Sequence, residues 1–116
     1  VTGSPPPKRS FYIDEGVRLF NEGDYFLAHE TLEEYWIEAP AGERNLLQGL
    51  IHLAVGMLHY SKGNLTGARL QFKKAGNRLA GYPDVAAGVD VARVREFLTL
   101  TGPFLDEGKA LTAPTL

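Results

Sequence analysis

Between Leu46 and Tyr60 the chain reads Leu-Leu-Gln-Gly-Leu-Ile-His-Leu-Ala-Val-Gly-Met-Leu-His-Tyr, apolar on nearly every side. A helix that is apolar all round is stable only when other elements cover it. At 3.6 residues per turn, Gly49, His52, Gly56 and His59 fall on one stripe, with Gln48 at its edge. Two glycines inside a helix each cost about 1 kcal/mol relative to alanine. That cost points to something approaching this face closely, with a packed helix favoured over a ligand or a partner subunit.

The rest of the chain supplies the cover. Val1 to Lys8, with three successive prolines, suits neither a helix nor a central strand, so 1–9 is expected as a disordered lead-in. A first helix is expected from Ser10, its cap, with Phe11 or Tyr12, Val17 and Leu19-Phe20 on its apolar face; Gly23 ends it. Asp24 caps a second helix from Tyr25 to about Ala39, in which Tyr25, Ala28, Leu32, Tyr35 and Trp36 follow helical spacing. Pro40 opens the central helix, placed at about 43–62. Gly63 stops it, and Asn64 caps a fourth helix carrying Leu65, Ala68, Leu70, Phe72, Ala75 and Leu79. Gly81-Tyr82-Pro83-Asp84 reads as a turn. A fifth helix is expected from about Asp90 to Leu100, interrupted by Pro103, with Phe104-Leu105 as a candidate further turn. No segment alternates long enough to be a strand. The expected fold is all-α, about five helices in antiparallel hairpins around the central one, as one domain over 10–107 with a loose tail at 108–116.

Two stretches forty residues apart align without gaps, Gly23–Glu34 and Gly63–Lys74. Each opens with a helix-stopping glycine and an Asp or Asn cap. Each sets Ala28 or Ala68 at the same position, with Leu32 or Phe72 four residues on. The pattern is similar to the second helix of tetratricopeptide-type repeats, although the period is longer and two units are too few for an array. It is read as paired helical hairpins.

Charge is segregated along the chain. Asp14 to Glu43 holds nine carboxylates and one arginine, whereas Lys62 to Arg78 holds five basic residues and no acid. No aromatic stacking platform sits among those cations, which argues against nucleic acid and for an acidic helix lying near a basic one. There is no cysteine, so disulfides and thiolate metal sites are excluded. The longest apolar run falls short of the roughly twenty residues that span a bilayer, and the start shows no apolar signal segment. A soluble cytoplasmic protein is expected.

One cluster suggests chemistry. His29 and Glu33, four apart, share a helix face near Trp36. With His52 and Gln48 looking at them from the central helix, His29, Glu33, Trp36, Gln48 and His52 would line a pocket. His29, Glu33 and His52 would then form a two-histidine, one-carboxylate set for a divalent metal. Glu30 is the candidate base for an activated water. Neither the paired histidines of zinc peptidases nor the Glu-x-x-His pairs of di-iron bundles occur. The competing reading is a hydrogen-bonded polar network among His29, Glu33, Gln48 and His52.

Phe20-Asn21-x-Gly23-x-Tyr25, His29-Glu30-x-x-Glu33-x-x-Trp36, Leu47-Gln48-Gly49-Leu50-Ile51 with Ala54 and His59, and Gly63-Asn64-x-x-Gly67-Ala68 occur here in that order. Together they resemble family 309 of the domains of unknown function, small all-helical prokaryotic proteins. The resemblance runs from about Phe11 to Leu79. It implies a compact helical fold and no established activity, with His29, Glu30, Glu33, Trp36 and Gln48 at the family's recurrent polar positions.

Two functions are therefore expected to compete. The first is a non-enzymatic binding or interaction module, with a protein partner or a second copy as its ligand. The alternative is a metal-dependent hydrolase-like enzyme using His29, Glu33 and His52. Metal-free acid–base chemistry beside Trp36 is a third possibility.

Overall fold

The structure is a computed structural model that describes residues 8–116, with side chains from 11 onward. Five helices follow one another: α1 (Lys8–Asn21), α2 (Tyr25–Trp36), α3 (Ala41–Ser61), α4 (Leu65–Leu79) and α5 (Val91–Asp106). Each packs chiefly on its neighbours in sequence, α1 on α2, α2 on α3 and α3 on α4, with a lighter contact of α5 on α4. The fold is all-α, and α3 is its centre: Leu46, Leu47, Leu50, Leu53 and Ala54 are among its most deeply buried residues.

The two expected caps form. Asp24 Oδ1 accepts from Leu27 N at 3.2 Å and Asn64 Oδ1 from Gly67 N at 2.9 Å. Gly23 and Gly63, with φ of 86° and 77°, make the left-handed turns before them, where a side chain would be strained. Asp24→Ala and Asn64→Ala are each expected to lower stability by about 1 kcal/mol. Urea unfolding of the two single variants checks this, and similar losses would show that the two hairpins are built alike.

The forty-residue repeat reaches further than the sequence comparison indicated. Ala28 and Ala68 are both wholly buried. Leu32 on α2 lies over Gly16 on α1, where an added Cβ would come within 2.6 Å of it. Forty residues on, Phe72 on α4 lies over Gly56 on α3, again at 2.6 Å. Hairpins α1–α2 and α3–α4 thus use the same cap, the same small contact residue and the same large-over-glycine fit.

Four expectations are corrected. First, α1 is already helical at Lys8, so Ser10 lies inside it and is not its cap; the proline run ends at Pro7 and nothing in Lys8-Arg9-Ser10 resists a helix. The remainder of the expected lead-in, 1–7, lies outside the described residues. Second, α5 runs through Pro103 to Asp106. The preceding residue is Gly102, which has no Cβ to meet the proline ring, so the usual penalty on a helical residue before proline is reduced. Third, a two-residue antiparallel hairpin, β1 (Val85–Ala86) with β2 (Val89–Asp90), precedes α5. Its turn places Ala87 at φ 49° and Gly88 at φ 78°, the pair of positive values that a tight hairpin needs. Fourth, the segment after Glu107 has no helix or strand but is not loose. Leu111 N donates to Tyr60 Oη at 2.9 Å, Leu116 N to Asn21 Oδ1 at 2.9 Å, and Leu111, Ala113 and Leu116 pack against the core.

A further staple fixes the approach to α5. Tyr82 Oη donates to the Gly42 carbonyl at 2.7 Å and accepts from Leu46 N at 2.9 Å, tying the loop after α4 to the start of α3.

Candidate functional site

The glycine stripe of α3 faces the following helix, not the preceding one. A Cβ on Gly49 would meet Leu79 at 2.5 Å, and one on Gly56 would meet the Phe72 ring at 2.6 Å; both partners are on α4. His52 lies between these glycines on the same stripe and turns with it. Its Nδ1–H donates to Gln71 Oε1 on α4 at 2.8 Å. Gln48 and His52 line a polar cleft between α3 and α4 together with Asn45, Lys74, Asn77 and Arg78, and Arg78 Nη1 donates to Asn45 Oδ1 at 2.9 Å.

His29 and Glu33 do come together, but on the outer side of α2. His29 Nδ1–H donates to the Phe26 carbonyl at 3.2 Å, and Nε2 lies 3.1 Å from Glu33 Oε2. The ring donates to both at once only as an imidazolium, because a carbonyl and a carboxylate both accept. The hollow around this pair is lined from α2 and its end alone, by Leu27, His29, Glu30, Thr31, Glu33, Glu34 and Ile37. Trp36 does not line it. Its ring sits under the Arg44 guanidinium, 4.8 Å from the centroid, and its buried Nε1 finds no hydrogen-bond partner among the described residues.

The expected meeting of His29, Glu33 and His52 is therefore corrected: His52 belongs to the α3–α4 cleft, and the other two to the α2 surface. Among the described residues, no three His, Cys, Asp or Glu side chains gather closely enough to hold an ion. Glu30 is exposed beside Glu33 and Glu34. Burial raises the Tyr25 phenol above its ordinary range. Because its folded value exceeds the unfolded one, the stability it contributes is full below that ordinary range and is lost as pH rises through the raised value.

A further hollow among the described residues involves none of the expected site residues. It lies between α4 and α5, where the lighter contact of these helices leaves about 610 Å³. Its floor is apolar, from Phe72, Ala80, Leu98 and Pro103, with Gly76 and Gly102 adding no side chain. Its rim is basic, from Arg69, Lys73 and Arg95. Two of these cations are already held: Arg69 Nη2 lies 2.7 Å from Asp106 Oδ1, and Arg95 reaches Asp84 Oδ1 at 3.0 Å and the Tyr82 carbonyl at 2.8 Å. Lys73 meets no carboxylate among the described residues. The signal for this site was in the sequence as the acid-free basic run around Phe72, but the rest of the apolar floor, Leu98 and Pro103, comes from α5, and no local pattern joins the two.

Residues 13–70, half of the chain, match the family described as Domain of unknown function (DUF309). An uncharacterized protein of Bacillus subtilis (strain 168), YpuF, is 44% identical over 59 residues, which are 50% of this chain and 34% of that relative. An uncharacterized protein of Aquifex aeolicus (strain VF5) is 30% identical over 87 residues, 74% of this chain and 26% of that relative. The matches thus span about a third and about a quarter of the curated relatives' lengths.

Proposed function

We propose that this chain, which belongs to the DUF309 family, is a non-enzymatic binding module that takes an acidic amphipathic helix of a protein partner in the hollow between α4 and α5. One observation carries the reading: an apolar floor roofed on one side by cations, one of which, Lys73, has no internal counter-charge among the described residues. A helix laid in such a groove buries its apolar face on Phe72 and Leu98 and sets its carboxylates against the basic rim. The repeated hairpins supply the rigid frame, since α4 is locked to α3 at Gly49 and Gly56. A cytoplasmic location belongs to the same proposal. What the structure contains on this point is that no helix among the described residues is long and apolar enough to cross a membrane.

The test is fluorescence anisotropy with a labelled synthetic amphipathic helix, leucine on one face and glutamate on the other. Binding is expected to saturate and to weaken as salt rises from about 50 to about 500 mM, because screening shortens the reach of the rim charges. Lys73→Glu is expected to weaken it at least about tenfold, equivalent to roughly 1.4 kcal/mol. Binding that is absent, or that is indifferent to Lys73→Glu, would overturn the proposal.

A further inference from the structure

We propose that the helix received by the α4–α5 groove is α2 of a second copy of this chain, so that copies associate head to tail. The inference rests on the groove reading given above and adds the identity of the occupant.

Among the described residues, the ends of the two repeats do not neutralise each other inside the fold. Glu33-Glu34 and Lys73-Lys74 sit at equivalent positions of the two hairpins, yet among the described residues no ion pair joins them. Glu33 is turned onto His29, and Glu34 accepts from the Tyr12 hydroxyl at 3.4 Å. Lys73 remains open at the groove rim. Glu30 and Glu34 on one side and Lys73 on the other are thus exposed to another molecule.

The outer face of α2 has the chemistry the groove asks for. Leu27, Glu30, Glu34 and Ile37 are spaced three, four and three residues apart, so they form one stripe with carboxylates in the middle and an apolar residue at each end. Both ends are unusually open for their type: Leu27 is 46% exposed and Ile37 71%. At 1.5 Å per residue the stripe is about 15 Å long. The groove face of α4 runs from Arg69 through Lys73 and Gly76 to Ala80, a comparable length. With α2 of one copy laid along it, Leu27 and Ile37 reach the apolar floor, and Glu30 and Glu34 flank Lys73. Gly76 leaves room for the approach, since a Cβ there would meet nothing within 4 Å.

The donor stripe and the receiving groove are different surfaces of the chain. Such a contact is heterologous: a dimer retains one free stripe and one free groove, and growth continues until a ring closes or a filament extends.

Sedimentation velocity on the full chain decides the matter. The wild type is expected to associate as concentration rises, to pass beyond the dimer, and to dissociate as salt is raised from about 50 to about 500 mM. Two surface variants separate the halves of the contact: Glu30→Lys/Glu34→Lys spoils the stripe and keeps the groove, and Lys73→Glu spoils the groove and keeps the stripe. Each alone is expected to remain monomeric with an unchanged circular-dichroism spectrum. Mixed in equal amounts, they are expected to associate again, because the sound stripe of one variant meets the sound groove of the other, and the reversed stripe and reversed groove are themselves opposite in charge. A wild type that stays monomeric at about 0.5 mM, a concentration at which a contact of roughly −4.5 kcal/mol would be half formed, overturns the inference. So does a mixture that stays monomeric, or a Glu30→Lys/Glu34→Lys variant that still associates. If the synthetic acidic helix binds wild type while the chain stays monomeric, the groove reading stands and the self-association falls. If that helix also fails to bind, both fall.

Discussion

Phe72→Ala is expected to lower the stability of the fold by about 3–5 kcal/mol, the range for removing a buried aromatic side chain from a core that relaxes only partly. Phe72 is 3% exposed and touches two neighbouring helices at once. Its ring carbons fill the space over Gly56 on α3, and the ring makes a T-shaped contact with Phe97 on α5, with centroids 5.6 Å apart and planes at 86°. Relaxation is limited because α4 cannot sink toward α3: Leu79 already rests on Gly49 further along the same helix. The hole opens instead into the α4–α5 groove, whose floor Phe72 forms. Urea unfolding should show the midpoint falling, and acidic-helix binding should weaken with it. Lys73→Glu is the contrasting case, removing binding with a change in stability within about 0.5 kcal/mol, because the residue is exposed. A Phe72→Ala loss below about 1 kcal/mol would mean that α5 does not depend on this contact.

The parts of this architecture that were legible in the sequence have local causes. Gly23-Asp24 and Gly63-Asn64 announce a turn and a cap within two residues, and the structure has both at those positions. Ala28, Leu32, Ala68 and Phe72 reveal their burial through helical spacing alone. The glycine stripe told that a neighbour comes close to α3, and one does. What periodicity does not encode is which neighbour, because α2 and α4 both lie against α3 and either might have taken the small face. Leu79 and Phe72 take it, thirty and sixteen residues along from the glycines they cover, and His52 turns to α4 with them. The expected meeting of His52 with His29 and Glu33 was lost through that one choice of side. The β1–β2 hairpin escaped for a different reason: two residues per strand are too few to show alternation, and its turn is Ala87-Gly88 where asparagine or aspartate would have marked it. The held segment at 109–116 depends on Tyr60 and Asn21, long-range partners with no trace in its own composition.

Gly56→Val should cost about 3 kcal/mol or more, and Gly56→Ala about 1–2 kcal/mol, although alanine is the better helix former by about 1 kcal/mol. The reason is steric. The first added carbon would stand 2.6 Å from Phe72 Cε1 and 2.7 Å from Cδ1, and a rigid ring packed against Phe97 yields less easily than the end of a flexible side chain. Valine adds two more carbons in the same place and is itself restricted in a helix. Gly76→Ala is the control: it is also inside a helix, its Cβ would meet nothing within 4 Å, and it should stabilise by up to about 1 kcal/mol. The opposite signs separate close packing from propensity, since propensity alone favours alanine at both positions. Gly16→Ala, set against Leu32, should share the sign of Gly56→Ala with a smaller loss, because a leucine side chain yields more easily than a ring. The cycle of Gly56→Ala with Phe72→Leu tests the contact directly. Neighbours in contact depart from additivity by about 0.5–3 kcal/mol, and here the double variant should be more stable than the sum of the two losses predicts. Additive losses would mean that Phe72 is not what holds residue 56 to glycine.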